Sequence, residues 1–402
     1  MMVSVHRHPR QASIILIMSF FIWYLISKIL LIDYLSLDVL IRVWLLVCLL
    51  PLFIVAYIQN PHRKKQPLNP INSTRIKSKS IVFLSQLVGI YLYAFIVTES
   101  GVSIYAAFVN DLFLFFPLII VMSIGYIYFV DRRLLDPEDE YAKIGAMLNK
   151  SMPLDKALLK IFILKTAVKF VFIPFMYSGF LGNLAAIFDT AWQFNAAAIN
   201  LLIFNIVISL DMLIAIFGYL FSSGIINNRI VDTDSNLLGW IFALLCYPPL
   251  VWIMHQVNDQ QDNLIWQDII PQDSIFYWLF FLAINISWII YWLATFEFGM
   301  TFSNLSWRRL IDTGVYRYTK HPAYIAKNIY WWLYTLPFMG IAFASAAWWQ
   351  NILGLTFVSL IYYGRAKSEE RHLRKFVEYR QYCDQIDQTG IFRWLKKAQS
   401  TY

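Results

Sequence analysis

Gly314-Val315-Tyr316-Arg317-Tyr318-Thr319-Lys320-His321-Pro322-Ala323-Tyr324 leads into a long apolar stretch, which ends at Arg365-Ala366-Lys367-Ser368-Glu369-Glu370. The stretch between these clusters is long enough to cross a bilayer twice, near 324–343 and 348–364. Read this way, the chain leaves the membrane, displays one polar cluster, makes a transmembrane hairpin and returns a second polar cluster to the same side. No other part of the 402 residues is as dense in chemically useful side chains. The layout predicts a small-molecule site at a membrane face.

The rest of the chain supplies the membrane. It is 59% hydrophobic and 18% aromatic, and only 14% of its residues are charged, where a soluble domain carries about a quarter. The apolar residues fall in long runs. They predict an all-α, polytopic integral membrane bundle of about ten transmembrane helices with a cytoplasmic C-terminal helix. The spans are expected near 12–32, 39–58, 81–98, 112–130, 161–182, 196–222, 236–254, 275–297, 324–343 and 348–364. The first run lacks a small-residue cleavage site, so it reads as a span rather than a signal peptide.

Most of the 33 lysines and arginines lie in alternate loops. The second loop holds Arg63, Lys64, Lys65, Arg75, Lys77 and Lys79; the fourth holds Arg132, Arg133 and Lys143; the eighth holds Arg308, Arg309, Arg317 and Lys320; the tail runs on to Lys396 and Lys397. The loop from His255 to Ser274 carries Asp259, Asp262, Asp268 and Asp273 and no basic residue. Positive loops stay in the cytoplasm. Both termini and both polar clusters are therefore expected on the cytoplasmic face of a cell inner or plasma membrane. The net charge of +8, distributed this way, suits lipid headgroups and not nucleic acid. Cys48, Cys246 and Cys383 are too far apart for a disulfide framework or a zinc site, and no metal is expected. The segment from Asp131 to Lys160 reads as one or two helices along the surface. Residues 1–230 form an N-terminal transmembrane region without a recognisable site, and 231–402 hold the chemistry.

Within the first cluster, Thr313-Gly314 is a turn and Pro322 suits the first turn of a helix. The free N–H groups at such a helix start attract a carboxylate. Along that helix His321, Tyr324, Asn328 and Trp331 share a face. In the second cluster, Gly364 is expected to interrupt the tenth span, with a charged helix after it. Glu369, His372, Phe376, Tyr379 and Cys383 make one stripe of that helix, while Glu370, Arg371 and Arg374 fall on its solvated side. Read separately, His321 is an interfacial helix cap and Arg365 with Glu369 an ordinary i,i+4 ion pair. Trp331 and Trp332 read as interfacial belt residues.

Taken together, Gly-Val-Tyr, Lys-His-Pro-Ala-Tyr, one hydrophobic hairpin, Arg365, Glu369-Glu370 and a closing Tyr379-to-Tyr382 segment resemble the isoprenylcysteine carboxyl methyltransferases and their relatives. The resemblance covers about Thr301 to Cys383. It departs at Lys320, where the family usually has Arg, at Ala326, where it usually has Gly, and in Phe376-Val377-Glu378-Tyr379, which lacks a Gly. It implies S-adenosyl-L-methionine bound between the last two spans and the C-terminal helix. Tyr316, Lys320, His321, Pro322, Ala323, Tyr324, Glu369 and Glu370 would then bind the cofactor, Arg365 would face the reacting group of the acceptor, and Arg308 to Ile311 would lie near the adenosine. The acceptor would be lipophilic or lipidated, with a carboxylate or a headgroup amine as its reacting group. Two other readings stand beside this one. One is an NADPH-dependent reductase of the sterol type, which shares His-Pro-x-Tyr and a closing Tyr-Cys; the other is a non-enzymatic transporter or scaffold.

Asp211 stands alone in the middle of the sixth span. A charge at that depth is expensive and marks a functional candidate; a packing role predicts pairing with Asn285 or Ser287.

Overall fold

The computed structural model describes residues 7–31, 34–60, 67–189, 195–258 and 263–393. Arg63, Lys64, Lys65, Asp259, Asp262, Lys396 and Lys397 lie outside the described residues. The chain folds into α1 (Arg7–Ile26), α2 (Leu37–Gln59), α3 (Ser73–Glu99), α4 (Ala106–Asp131), α5 (Glu140–Leu148), α6 (Lys156–Asp189) and α7 (Ala196–Leu220). A two-residue strand β1 (Asp232–Thr233) precedes α8 (Leu237–Leu244), α9 (Val251–Asn258), α10 (Trp266–Ile269) and α11 (Ile275–Phe298). Strand β2 (Ser306–Trp307) precedes α12 (Pro322–Thr335), α13 (Ala346–Leu373) and α14 (Val377–Thr389). Asn72, Asp139, Asn195 and Ser345 start α3, α5, α7 and α13 by accepting a backbone N–H within the first turn, which satisfies a donor that the helix itself leaves free.

Six of the described helical stretches are long and apolar enough to cross a membrane: Arg10–Leu30, Leu37–Ile58, Ser73–Glu99, Ser103–Asp131, Ala196–Leu220 and Ile275–Thr301. Of the other predicted spans, the fifth lies within the unbroken 34-residue α6 and the tenth within α13, whereas the seventh and ninth differ from regular crossings. The seventh, at 236–254, is broken into α8 and α9 at Pro248-Pro249, where two N–H groups are missing and the residue before each proline is steered out of the helical region. The ninth is α12, only 14 residues long. At 1.5 Å per residue that is about 21 Å, short of a hydrocarbon core of about 30 Å. Leu336 at φ 42° and Gly340 at φ 78° then turn the chain toward α13.

Gly364 does not interrupt the tenth span. α13 runs unbroken through it for 28 residues, so the glycine is a packing device: a Cβ there would lie 2.5 Å from the Phe242 ring of α8. The surface segment after Asp131 holds α5, whose Ala142, Ile144 and Gly145 are buried; Gly145 lies directly against Ser78 of α3. Trp331 and Trp332 are not belt residues. Their indole N–H groups donate to Tyr362 at 3.3 Å and Ser359 at 3.0 Å, both on α13.

The largest core cluster runs from Ala12 to Met300 and joins α1 to α4, α6 and α7. At one end of the bundle several helix ends meet. Arg10 reaches Glu297 at 2.6 Å, Asn60 donates to the Ile225 carbonyl at 2.7 Å, and Arg75 pairs with Asp131 at 2.8 Å. The described basic loops thus gather at one face, together with the start of α12 and the end of α13. Which face this is relative to the cell rests on the positive-inside argument.

The Gly364 contact is testable. Gly364→Ala should lower Tm by overpacking against Phe242, at a cost of about 1–3 kcal/mol. Gly125→Ala should cost nothing, because a Cβ at Gly125 meets no atom within 4 Å and alanine is the better helix former.

Candidate active site

The antiparallel ladder between β1 and β2 pairs Asp232 with Trp307 and Thr233 with Ser306. It ties the segment after α7 to the segment after α11. Arg308 fastens the same junction: its guanidinium donates to the carbonyls of Asn228 at 2.7 Å and Gly218 at 2.8 Å. A third donor meets Ser303 Oγ at 3.2 Å, so its role is structural, and it lines a small cavity together with Arg309, Leu310 and Ile311.

Under this junction lie two adjoining cavities of about 110 and 50 Å³. Phe298, Ser303, Ser306, Tyr316, Lys320, Glu369 and Leu373 wall both. Of the residues singled out from sequence, Tyr316, Lys320, His321, Ala323, Tyr324, Arg365 and Glu369 line the larger one. Pro322 is buried at the first position of α12, where it sets the helix start rather than the wall.

Arg365 and Glu369 sit one turn apart on α13, with Tyr324 of α12 between them. The Tyr324 hydroxyl donates to Glu369 at 3.1 Å. The Arg365 guanidinium carbon is 5.3 Å from the ring centres of both Tyr324 and Tyr247, and its Nη2 donates to Asn304 Oδ1 at 3.1 Å. The helix therefore holds the pair apart through a tyrosine instead of letting them neutralise each other.

Glu370 does not face solvent. It is buried and accepts from His321 Nε2 at 2.9 Å, with Lys320 at 3.7 Å and Lys367 at 3.6 Å. Burial pushes its pKa up, but the His321 hydrogen bond and the nearby lysines outweigh this and lower it to about 2. An ionised carboxylate only accepts. His321 Nε2 must therefore carry the proton and donate, which leaves Nδ1 as the atom free to meet a ligand. Lys320 is likewise engaged, with Asp387 of α14 at 3.1 Å. Tyr382 donates to the Tyr316 carbonyl at 2.7 Å, and the Ile391 N–H to the Tyr318 carbonyl at 2.9 Å. α14 is thus clasped over the 316–321 segment. Phe376 belongs to that closure, stacked on Trp307 with ring centres 4.6 Å apart. His372 reaches Asp232 at 3.1 Å, and Asp232 is also held below its ordinary pKa, burial opposing and the His372 bond prevailing.

Sequence reasoning missed Tyr247, Tyr291, Asn304 and Lys327, all in the wall of the larger cavity. Lys327 lies three residues after Tyr324, a spacing that shares its helix face; its Nζ sits 4.3 Å from the Tyr291 ring centre. Asp211 lies behind this wall and is bonded to two of its residues. It accepts from Tyr291 at 2.7 Å and Thr295 at 2.5 Å, not from Asn285 or Ser287. Asn285 instead pairs with Asn200, and Ser287 bonds to its own helix.

The wall is chemically suited to a nucleotide-like cofactor bearing both charges. Asn304 Nδ2 and Ser306 Oγ are buried without hydrogen-bond partners, a costly state unless a ligand answers them. Glu369 offers a carboxylate, and Tyr316 and Tyr324 offer ring faces. Each space is smaller than the several hundred Å³ usual for such ligands, and the two adjoin along Ser306, Tyr316, Lys320 and Glu369.

The sign of the Glu370 shift fixes its pH dependence. A carboxylate held at about 2, below its ordinary 4.5, contributes stability that is full above pH 4.5 and is lost as pH falls toward 2. The Tm gap between wild type and Glu370→Gln should therefore be widest at neutral pH and close between pH 4.5 and 2. A gap independent of pH would remove Glu370 from this role.

Residues 275–382 match the family model described as PEMT, phospholipid methyltransferase. No curated protein and no solved structure matches the chain. The matched span runs from the start of α11 through Arg365, Glu369 and Glu370 to Tyr382, and supports a membrane methyltransferase that acts on lipid.

Proposed function

We propose that the chain is an integral membrane methyltransferase that draws its methyl group from S-adenosyl-L-methionine and places it on a lipophilic acceptor entering sideways from the bilayer. Residues 231–402 form the catalytic unit, at the cytoplasmic face, and 1–230 support it. The observation that carries this reading is the placement of Arg365 and Glu369 around Tyr324, beside two partnerless buried polar atoms, inside the segment that matches the methyltransferase family.

Methyltransferases of that family generally use this cofactor, which when bound supplies a methyl group on a cationic sulfur, open to displacement by an acceptor lone pair. The open N–H groups at the start of α12, with His321 Nδ1 and Asn304, suit its polar ends. Glu369 suits its ammonium or ribose hydroxyls. The rings of Tyr316 and Tyr324 flank the site and tolerate a positive charge at their faces. Arg365 holds the acceptor's anionic group, carboxylate or phosphate, in its two-pronged donor geometry. Glu370 and Lys320 do not touch the ligand: Glu370 orients His321, and Lys320 fastens α14. The work of these residues is alignment in a dry pocket.

Radiolabelled methyl transfer to a lipid extract by protein in nanodiscs tests the reading. Glu369→Gln should raise KM for the cofactor, and Arg365→Lys KM for the lipid, each by about 10- to 100-fold for one charged hydrogen bond lost. Undiminished labelling by a His321→Ala, Glu369→Ala double variant would overturn the site. A rise in Tm with NADPH and none with S-adenosylmethionine would point to the reductase instead.

A further inference from the structure

A second and larger cavity, about 500 Å³, lies among α3, α4, α5, α6 and the segment that follows α7. It does not share a wall residue with the methyl-transfer cleft. Its charged rim is at the same end of the bundle as that cleft, where α3 and α6 begin and α4 and α7 end. Two of the rim cations are already neutralised. Lys79 pairs with Asp131 at 2.9 Å and Asp139 at 3.2 Å, and Lys165 pairs with Glu140. Lys169 and Arg229 have neither an ion pair nor a hydrogen bond to a side chain among the described residues. With Asp139 and Glu140 each matched by a lysine, the rim keeps a surplus of two positive charges.

The remainder of the chamber is mainly apolar, through Phe83, Ile119, Met122 and Phe162, with Gln86, Ser123 and Thr166 set among them. Ile119 and Met122 lie on α4 well inside the membrane end marked by Asp131. At 1.5 Å per residue the chamber floor at Ile119 is roughly 18 Å from that end. Met122 is also exposed on the outer surface, so the chamber opens sideways toward the acyl chains. A cationic mouth at headgroup depth above an apolar shaft with a lateral opening is the shape of one amphiphile with an anionic head.

We propose that this chamber is a second lipid site, which binds an amphiphile carrying a phosphate group. Lys169 and Arg229 grip the phosphate, and the chain lies along Phe83, Ile119 and Met122. An anion at this rim supplies the hydrogen-bond acceptors that both cations lack. The site is separate from the proposed active site and does not depend on its chemistry.

Native mass spectrometry of the full chain, released from detergent, tests this with three probes. Phosphatidylglycerol has the phosphate and the chains, glycerol 3-phosphate only the phosphate, and diacylglycerol only the chains. Phosphatidylglycerol should bind one equivalent that survives Arg365→Ala and falls in affinity by about tenfold or more in Lys169→Gln, Arg229→Gln. Lys169→Arg should retain it. Ser123→Trp, which fills the chamber from α4 and leaves both cations in place, should lose it; this variant decides the matter if the charge variant does not fold. Equal binding of diacylglycerol would overturn the role of the cations. Equal binding of glycerol 3-phosphate would make the ligand a soluble phosphate ester and overturn the amphiphile. Loss with Arg365→Ala alone would return the lipid to the methyl-transfer cleft.

Discussion

The buried carboxylate of Glu370 is the contact on which the site depends. α13 leaves the bundle without a break, so Arg365, Glu369 and Glu370 are carried rigidly past the end of the apolar layer. A rigid helix alone does not place them against α12, whose start is reached through a long irregular segment from Thr301 to His321. The hydrogen bond between His321 and Glu370 fixes that start against α13, and the Lys320 contacts to Glu370 and Asp387 draw α14 over it. Buried charge is tolerated because each partner answers another. With Glu370 committed to this clasp, Glu369 is left with a tyrosine hydroxyl and an open side toward the cavity.

The sequence showed where the site is more clearly than how its carboxylates divide their work. Meeting of the two clusters at one bundle end follows from a hairpin between them, and the hairpin from apolar length alone. The closing segment from Tyr379 to Tyr382 was legible through the family resemblance, and Tyr379 also through helical spacing. The inward position of Glu370 was not. Helical periodicity assigns a residue to a face, but a residue one position off the buried stripe is solvated or covered according to what packs beside it. Glu370 is covered by the start of α12, where His321 donates to it. Likewise hydropathy finds apolar length but not its continuity: the same signal covers α11, which is regular, and the 236–254 stretch, which Pro248-Pro249 divides.

Asp211 shows the same distinction on a larger scale. Its partners are a register problem between α7 and α11. Asn200 meets Asn285, and eleven residues on Asp211 meets Thr295. Contact partners that rise together in number mean parallel helices, so the chain between them has to return to the starting side. That return is the broken pair α8 and α9. The prolines in the return leave α8 free to lie against α13, with Gly364 at the contact. The parallel register carries Tyr291 and Thr295 to the inner end of the cleft, where Asp211 accepts from both. A lone carboxylate in the middle of a span is thereby satisfied by the neighbouring helix, behind the wall that Tyr291 and Thr295 form.

The same register explains why one short segment separates the two cavities. α7 and α11 end side by side, and the chain after each must cross the other's path. The ladder of β1 with β2 and the Arg308 bonds to Asn228 and Gly218 hold that crossing still. Ser222, Ser223 and Arg229 wall the lipid-shaped chamber on one side, and Asp234 walls the methyl-transfer cleft on the other. Between them Asn228 is buried and donates to the Met300 carbonyl at 2.7 Å. Arg229 and Asp234 are thus mounted on one segment, each facing a different cavity. The N-terminal helices in this way pack against the segment that walls the cleft without contributing a residue to its lining.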